Sequence, residues 1–178
     1  TEILVDKVHD YIEKKKNKLK IVDLCTGSGC IVLSLAKKNP EHDFIGLDSS
    51  IDAINVSKIN SEKLKVVNVN FKKENAFEYD FKNVDIITCN PPYLAINEIE
   101  TLENSVKNHD PLDALTDHYD GLLFYKFLVN NFEKIVNKGG TIFFEIPSSD
   151  VTNKIFDILS ENNKVKYEIF KDFEGNNI

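Results

Sequence analysis

A chain of 178 residues is long enough for one domain with a core of its own and too short for two ordinary ones. Its net charge is −7, and all 22 of its basic residues are Lys, which argues against a phosphate track built from guanidinium forks. It has neither Trp nor Met; the missing Met marks a fragment or a trimmed chain, and the Lys, Asn and Ile bias is that of AT-rich codon usage.

The pattern along the chain alternates helices with short apolar runs. Ile3, Leu4, Val8, Tyr11 and Ile12 share one stripe of a first helix, with Thr1 placed to cap it. The basic run Lys14 to Lys20 is read as lysines complementing that helix's C-terminal dipole, in preference to a phosphate-binding patch. Ile21 to Leu24 is a strand, followed by a helix over 29–38. Phe44 to Asp48 is a second strand, with a helix over 51–60. Val69 to Phe71 is a third strand. Val84 to Cys89 is a fourth and leads into Asn90-Pro91-Pro92-Tyr93. A polar, partly helical connection over 94–118 precedes a helix over 121–136. Thr141 to Ile146 is a fifth strand, Val151 to Leu159 marks another helix, and Val165 to Phe170 is a sixth strand.

Strands alternating with helices predict an α/β fold with a doubly wound, mostly parallel sheet covered on both faces. Ligands of such sheets bind beyond the carboxyl ends of the strands. Cys25, Cys30 and Cys89 form no C-x-x-C pair, and an odd count is no disulfide framework, so a reducing cytoplasm is expected. His9, His42, His109 and His118 have no metal-ligand spacing. No run approaches a transmembrane span, and no signal peptide is visible.

Three strand ends carry unusual residues. Asp23-Leu24-Cys25-Thr26-Gly27-Ser28-Gly29-Cys30 places two glycines at a strand-to-helix turn, where the backbone approaches a ligand closely. A mononucleotide or dinucleotide binder is one alternative there, but Val32 stands where G-x-G-x-x-G needs its last glycine. A P-loop is excluded, because no Gly-Lys-Ser/Thr follows. Asp48 ends the second strand, where a carboxylate accepts both ribose hydroxyls of a nucleoside; the alternative is an N-cap, which Ser49 or Ser50 would also fill. Asn90-Pro91-Pro92-Tyr93 is the strongest signal. Its prolines offer carbonyls without N–H groups, and Pro91 holds Asn90 out of helical geometry. The resulting acceptor cluster suits a planar NH2 group, with Tyr93 available to stack on it. The alternative is a stiff strand-exit turn.

Together these residues resemble the class I S-adenosylmethionine-dependent methyltransferases that modify amino or amide nitrogens. The chain is most similar to the HemK/PrmC family, which methylates the glutamine of the GGQ motif in peptide chain release factors. The resemblance runs from Thr1-Glu2-Ile3-Leu4-Val5 through Asp23 to Gly29, Asp48 and Asn90 to Tyr93. It continues in Asp110-Pro111-Leu112-Asp113-Ala114-Leu115, Asp120-Gly121-Leu122 with Tyr125, Gly139-Gly140 and Glu145-Ile146. The stretch after Tyr93 separates this family from nucleic-acid methyltransferases that share the tetrapeptide. Cys25 and Pro147 stand where glycines are usual, Asn75 where Asp is, and Asp110 where Glu is.

The resemblance implies a class I methyltransferase (Rossmann-like) fold over residues 1–178 with the final strand missing or incomplete, and a helical substrate-docking domain that precedes it in the family and is absent from this chain. S-Adenosylmethionine is the implied cofactor and S-adenosylhomocysteine its product. Asp23, Cys25, Thr26, Gly27, Ser28, Gly29 and Asp48 would hold its methionine and ribose parts. Asn75 and Ala76 would face adenine, and Asn90 would border the cofactor. Asn90, Pro91 and Tyr93 are the implied catalytic residues, and they hold the target glutamine with Pro92. The implied partner is a release factor in the cytoplasm, with no direct nucleic-acid binding and no membrane role. Two other readings stay open: an amino methyltransferase acting on adenine or guanine in DNA or RNA, which would need base flipping or a single strand, and a catalytically silent cofactor-binding domain.

Overall fold

The computed structural model describes residues 1–101, 111–147, 151–171, 175 and 177. In chain order the elements are α1 (Glu2–Glu13), β1 (Lys20–Leu24), α2 (Cys30–Lys38), β2 (Asp43–Asp48), α3 (Ile51–Leu64), β3 (Val69–Lys73) and β4 (Ile86–Cys89). A 3-10 turn (Ile96–Thr101) follows, then α4 (Leu112–Leu115), α5 (Leu123–Asn130), α6 (Phe132–Ile135), β5 (Thr141–Phe144) and α7 (Val151–Glu161). The chain forms two compact units. One comprises Thr1–Asn90 with Glu133–Glu145, and the other Pro91–Phe132 with Ile146–Ile178.

The first unit holds a five-stranded sheet in the order β3-β2-β1-β4-β5, with every pairing parallel. This is the doubly wound order, and its reversal lies between β1 and β4. Ile21, Val22, Leu24, Ile86 and Ile87 are fully buried. Residues of both parities are therefore out of water, as a parallel sheet requires. Ile21, Phe44, Phe71 and Ile86 pack with Leu4, Val5, Val8 and Ile12 of α1 and with Ile31, Val32 and Leu35 of α2. The Tyr11 ring meets Phe143 edge-on at 5.5 Å, and Thr141 Oγ1 donates to the Tyr11 hydroxyl at 2.7 Å.

Register explains the next layer. Phe71, Gly46, Asp23, Thr88 and Phe143 lie side by side across the sheet. A Cβ on Gly46 would sit 2.7 Å from the Phe71 ring and 3.0 Å from Thr26 Oγ1. The missing side chain is what lets both pack there.

Four expectations are corrected. Residues 165–170 form no strand; Tyr167 and Ile169 are exposed, and Lys171 makes only an isolated antiparallel bridge to Asn177. The helix expected over 121–136 is two helices, α5 and α6. Its start is delayed by Gly121 at φ +75°, and it breaks at Asn131, whose side chain donates to Phe127 O at 2.9 Å. The lysines after α1 lie beyond its last turn. Lys15 sits over the Tyr11 ring at 4.2 Å, and Lys18 pairs with Asp43 at 2.8 Å. Thr1 occupies the N-cap position of α1 without a side-chain cap bond. Asp110 lies outside the described residues.

In the second unit α5 packs on α7, and Asn162 Nδ2 donates to Val129 O at 2.9 Å. Tyr125 is fully buried. Among the described residues no helix is long and apolar enough to cross a membrane.

Candidate active site

The turn after β1 is built by alternating backbone handedness. Cys25, Gly27 and Gly29 have φ of +54°, +55° and +82°, so three residues in five adopt the left-handed region. Gly29 is the N-cap of α2, and a Cβ there would lie 3.0 Å from Leu33 and 3.2 Å from Ser57. Glycine is required at that position on both counts. Thr26 N donates to Leu47 O at 2.9 Å, Gly29 N to Thr26 O at 2.8 Å, and Asn60 Nδ2 to Ser28 O at 3.0 Å. The loop is thereby anchored to β2 and to α3.

Asp23 lies behind this loop with no exposed surface. Its two oxygens accept from Thr26 Oγ1 and Thr88 Oγ1, each at 2.6 Å. Burial pushes its carboxyl up to about 6; the two threonine hydroxyls pull the other way, and the nearby Asp48 charge adds to the rise. Asp23 thus holds the turn from within, with no surface of its own exposed. Burial likewise drives the Cys89 thiol well above its ordinary range, helped by its hydrogen bond with Cys25.

Asp48 stands at the end of β2, partly exposed. Its Oδ2 accepts from Gly27 N and its Oδ1 from Ser50 N, both at 2.9 Å. The N-cap of α3 is Ser50, whose hydroxyl accepts from Ala53 N at 3.3 Å. The cap alternative for Asp48 is thereby removed. A carboxylate has about four acceptor sites, so two remain for other donors. Asn75 is exposed; its Oδ1 accepts from Phe77 N at 3.1 Å, and its Nδ2 donates to Glu78 Oε1 at 3.2 Å. That local turn presents the buried Ala76 next to it.

Asn90 follows the last residue of β4, and the sheet carries its parity one step further: Glu145 N donates to Cys89 O at 3.0 Å. Asp48, Asn90 and Glu145 therefore belong to the same sheet face as Asp23, at its carboxyl edge. Asn90 Nδ2 lies 3.4 Å from Thr1 Oγ1, which in turn donates to Glu145 Oε2 at 2.7 Å.

In the second unit Pro91 and Pro92 are buried and Tyr93 is partly exposed. Leu94 N donates to Leu115 O at 3.0 Å. Gly121 backs this exit closely: a Cβ there would fall 2.1 Å from Tyr93 O. Asp117 organises that loop, its carboxylate accepting from Tyr119 N at 2.8 Å and from Gly121 N and Leu123 N at 2.9 Å. Reading from the residues alone passes over Thr88, Gly46 and Asp117. For Asp117 a signal existed, since Asp shortly before Gly is the composition of an Asx turn.

With this geometry in place, a family model described as a methyltransferase domain matches residues 15–174. The chain belongs to that family. It is 40% identical over 177 residues to a release factor glutamine methyltransferase of Clostridium acetobutylicum, covering 97% of this chain and 61% of the relative. It is 35% identical over 161 residues to a protein of the same name from Bacillus subtilis, covering 89% of this chain and 56% of that one. The chain thus spans about three fifths of these curated relatives. Among solved structures, a SAM-dependent O-methyltransferase of Thermotoga maritima superposes with a TM-score of 0.67 at 14% identity, over 94% of this chain and 52% of that one. That likeness shows the fold: it is the class I, Rossmann-like methyltransferase fold.

Proposed function

We propose that this chain is the catalytic domain of an S-adenosylmethionine-dependent methyltransferase acting on the side-chain amide of the glutamine in a release factor's GGQ motif. The observation that carries this reading is Asn90-Pro91-Pro92-Tyr93 at the carboxyl end of β4, beside the strand whose turn holds Gly27 and Gly29. The relatives of Clostridium acetobutylicum and Bacillus subtilis, named for that reaction, support it.

The residues present fit the cofactor. Gly27 and Gly29 present backbone without side chains, and Asp48 keeps acceptor capacity for two ribose hydroxyls. Cys25 to Gly29 would face the methionine part and Asn75 with Ala76 the adenine, while Asp23 acts through Thr26. Bound there, S-adenosylmethionine would supply an electrophilic methyl group: a nitrogen–carbon bond would form as the sulfur–carbon bond broke, leaving S-adenosylhomocysteine, and the nitrogen would give one proton to water.

An amide nitrogen is a poor nucleophile, because its lone pair is delocalised into the carbonyl. As nitrogen becomes positive its N–H groups become stronger donors. The Asn90 oxygen and the Pro91 carbonyl are the acceptors this reading assigns to those N–H groups, and such acceptors stabilise that state more than the ground state. Tyr93 stacks on the planar amide. A net charge of −7 without Arg repels a polyanion, which favours a protein substrate over DNA or RNA. The reading carries with it a cytoplasmic location, where a release factor meets the ribosome.

The test is transfer of labelled methyl at physiological salt to a folded release factor, to its GGQ Gln→Ala variant, and to an oligonucleotide. Label on the first alone is expected. Ready transfer to the oligonucleotide with none to the release factor would establish the nucleic-acid alternative. Cofactor binding with no transfer to any acceptor would indicate a silent domain.

A further inference from the structure

An asparagine amide has two chemically opposite ends, and only the oxygen serves an N–H substrate. The end that faces the substrate is decided by whatever holds the other. Thr1 Oγ1 lies between Asn90 and Glu145, 3.4 Å from Asn90 Nδ2 and 2.7 Å from Glu145 Oε2. A threonine hydroxyl has one proton. A carboxylate accepts and cannot donate, so that proton is committed to Glu145. Thr1 Oγ1 can then offer Asn90 only a lone pair, and only the Asn90 NH2 can use it.

We infer that Thr1 and Glu145 are positioning residues for the proposed methyl transfer: their relay fixes the polarity of the Asn90 amide, so that Nδ2 is held by the protein and Oδ1 is left to accept from the substrate's N–H.

The placement follows from the fold. Glu145 and Asn90 continue neighbouring strands β5 and β4 on the same sheet face. α1 lies along β5, with Tyr11 at Thr141 and Thr1 at Glu145. Thr1 therefore spends its hydroxyl on this relay, and the helix cap goes without it. A rotated amide would present NH2 to an NH2 substrate, donor against donor, which removes the transition-state bond and adds a repulsion.

The inference rests on the functional reading above only for what Oδ1 does, and its test separates the two. The protein with bound cofactor and a folded release factor is compared as wild type, Thr1→Val, Thr1→Ser, Glu145→Gln and Thr1→Val/Glu145→Gln. Thr1→Val keeps the shape and removes the hydroxyl. Glu145→Gln turns an acceptor into a group that can donate to Thr1 and so reverse the relay. Single-turnover rates for Thr1→Val and Glu145→Gln are expected to fall about tenfold or more, with cofactor affinity within about twofold of wild type. Thr1→Ser retains the hydroxyl and most of the rate. The double variant is no slower than Thr1→Val, because one relay cannot be severed twice.

A second readout is independent of turnover: the side-chain NH2 resonances of Asn90, identified by their loss in Asn90→Ala. They are expected to move in Thr1→Val and Glu145→Gln and to stay in Thr1→Ser. If those resonances respond as expected while wild type leaves the release factor unmethylated, the relay stands and the substrate reading falls. If wild type methylates and Thr1→Val matches it with unmoved resonances, the relay is refuted. Parallel losses of rate and cofactor affinity in Thr1→Val, unrelieved in Thr1→Ser, would refute it too, since they mark packing rather than amide orientation.

Discussion

Asp23→Asn exposes the energetics of the site most directly. Asp23 is fully buried, and its carboxyl is pushed from the ordinary 3.8 up to about 6, chiefly by burial. A folded-state value above the unfolded one means that the native protein binds the proton more tightly. The group's stabilising contribution is therefore complete below about pH 3.8 and is lost as pH rises through about 6. The difference corresponds to about 3 kcal/mol, which is the cost of keeping this carboxylate ionised and buried near neutral pH. Asparagine has the same shape and does not titrate, and a threonine hydroxyl that now donates can rotate to accept from its NH2. The stability of Asp23→Asn minus that of wild type should accordingly rise by about 3 kcal/mol between about pH 3 and pH 8. All other carboxylates titrate in both proteins and largely cancel in that difference. Denaturant unfolding followed by circular dichroism at several pH values measures it. Cofactor affinity should fall at the same time, because Thr26 exchanges a charge-assisted bond for a neutral one. A stability difference that is flat with pH, or that changes in the opposite direction, would refute the account of Asp23.

Asn90→Ala should leave cofactor binding nearly intact and cost roughly a hundredfold in turnover; calorimetry and single-turnover kinetics on one preparation check it, and equal losses in both would indicate a folding role. Gly121→Ala would place a methyl 2.1 Å from Tyr93 O at a φ of +75°, so a destabilisation on the order of 3 kcal/mol is expected in denaturant unfolding. Cys25→Gly relieves a left-handed residue at φ +54°, worth about 1 kcal/mol. It also gives up the thiol's bond with Cys89 and adds freedom to the unfolded chain, so its unfolding midpoint should stay close to that of wild type. A clear drop would show that the Cys25–Cys89 contact outweighs the backbone strain.

Apolar runs bounded by turn residues made the sheet legible. Ile21 to Leu24 and Ile86 to Cys89 are buried at every position, and such runs have few other uses. Val165, Tyr167 and Ile169 show the limit of the same rule. Their alternation is that of a strand, yet Tyr167 is 49% exposed, because a strand is made by a partner and not by its pattern. The glycine turn, Asp48 and the Asn90 tetrapeptide were legible because their residue types are unusual at strand ends. Thr88 and Gly46 were not. They matter through register, opposite Asp23 on either side, and register is a long-range property that no local window contains. The destination of the Thr1 hydroxyl was hidden for the same reason: its partner Glu145 lies at the far end of another strand.

Three carboxylates of this chain look alike in sequence and differ in what their lone pairs do. Asp23 gives both oxygens to two threonine hydroxyls inside the sheet face, and Asp117 gives its oxygens to three backbone N–H groups of one loop. Each is a structural hub, since a buried carboxylate surrounded by donors is stable only while those donors stay in place. Asp48 accepts one backbone N–H at each oxygen and remains partly exposed. Of the three, it alone is both held in position and able to accept further donors from a ligand. Asn90 obeys the same rule in the proposed relay, its donor end held by Thr1 and its acceptor end assigned to the proposed substrate. A polar group serves a ligand when the fold fixes its direction without exhausting its bonding capacity. Asp23 and Asp48 each accept two hydrogen bonds; what separates them is that Asp23 has no exposed surface while Asp48 stays partly open, which supports Asp48 as the proposed ribose contact.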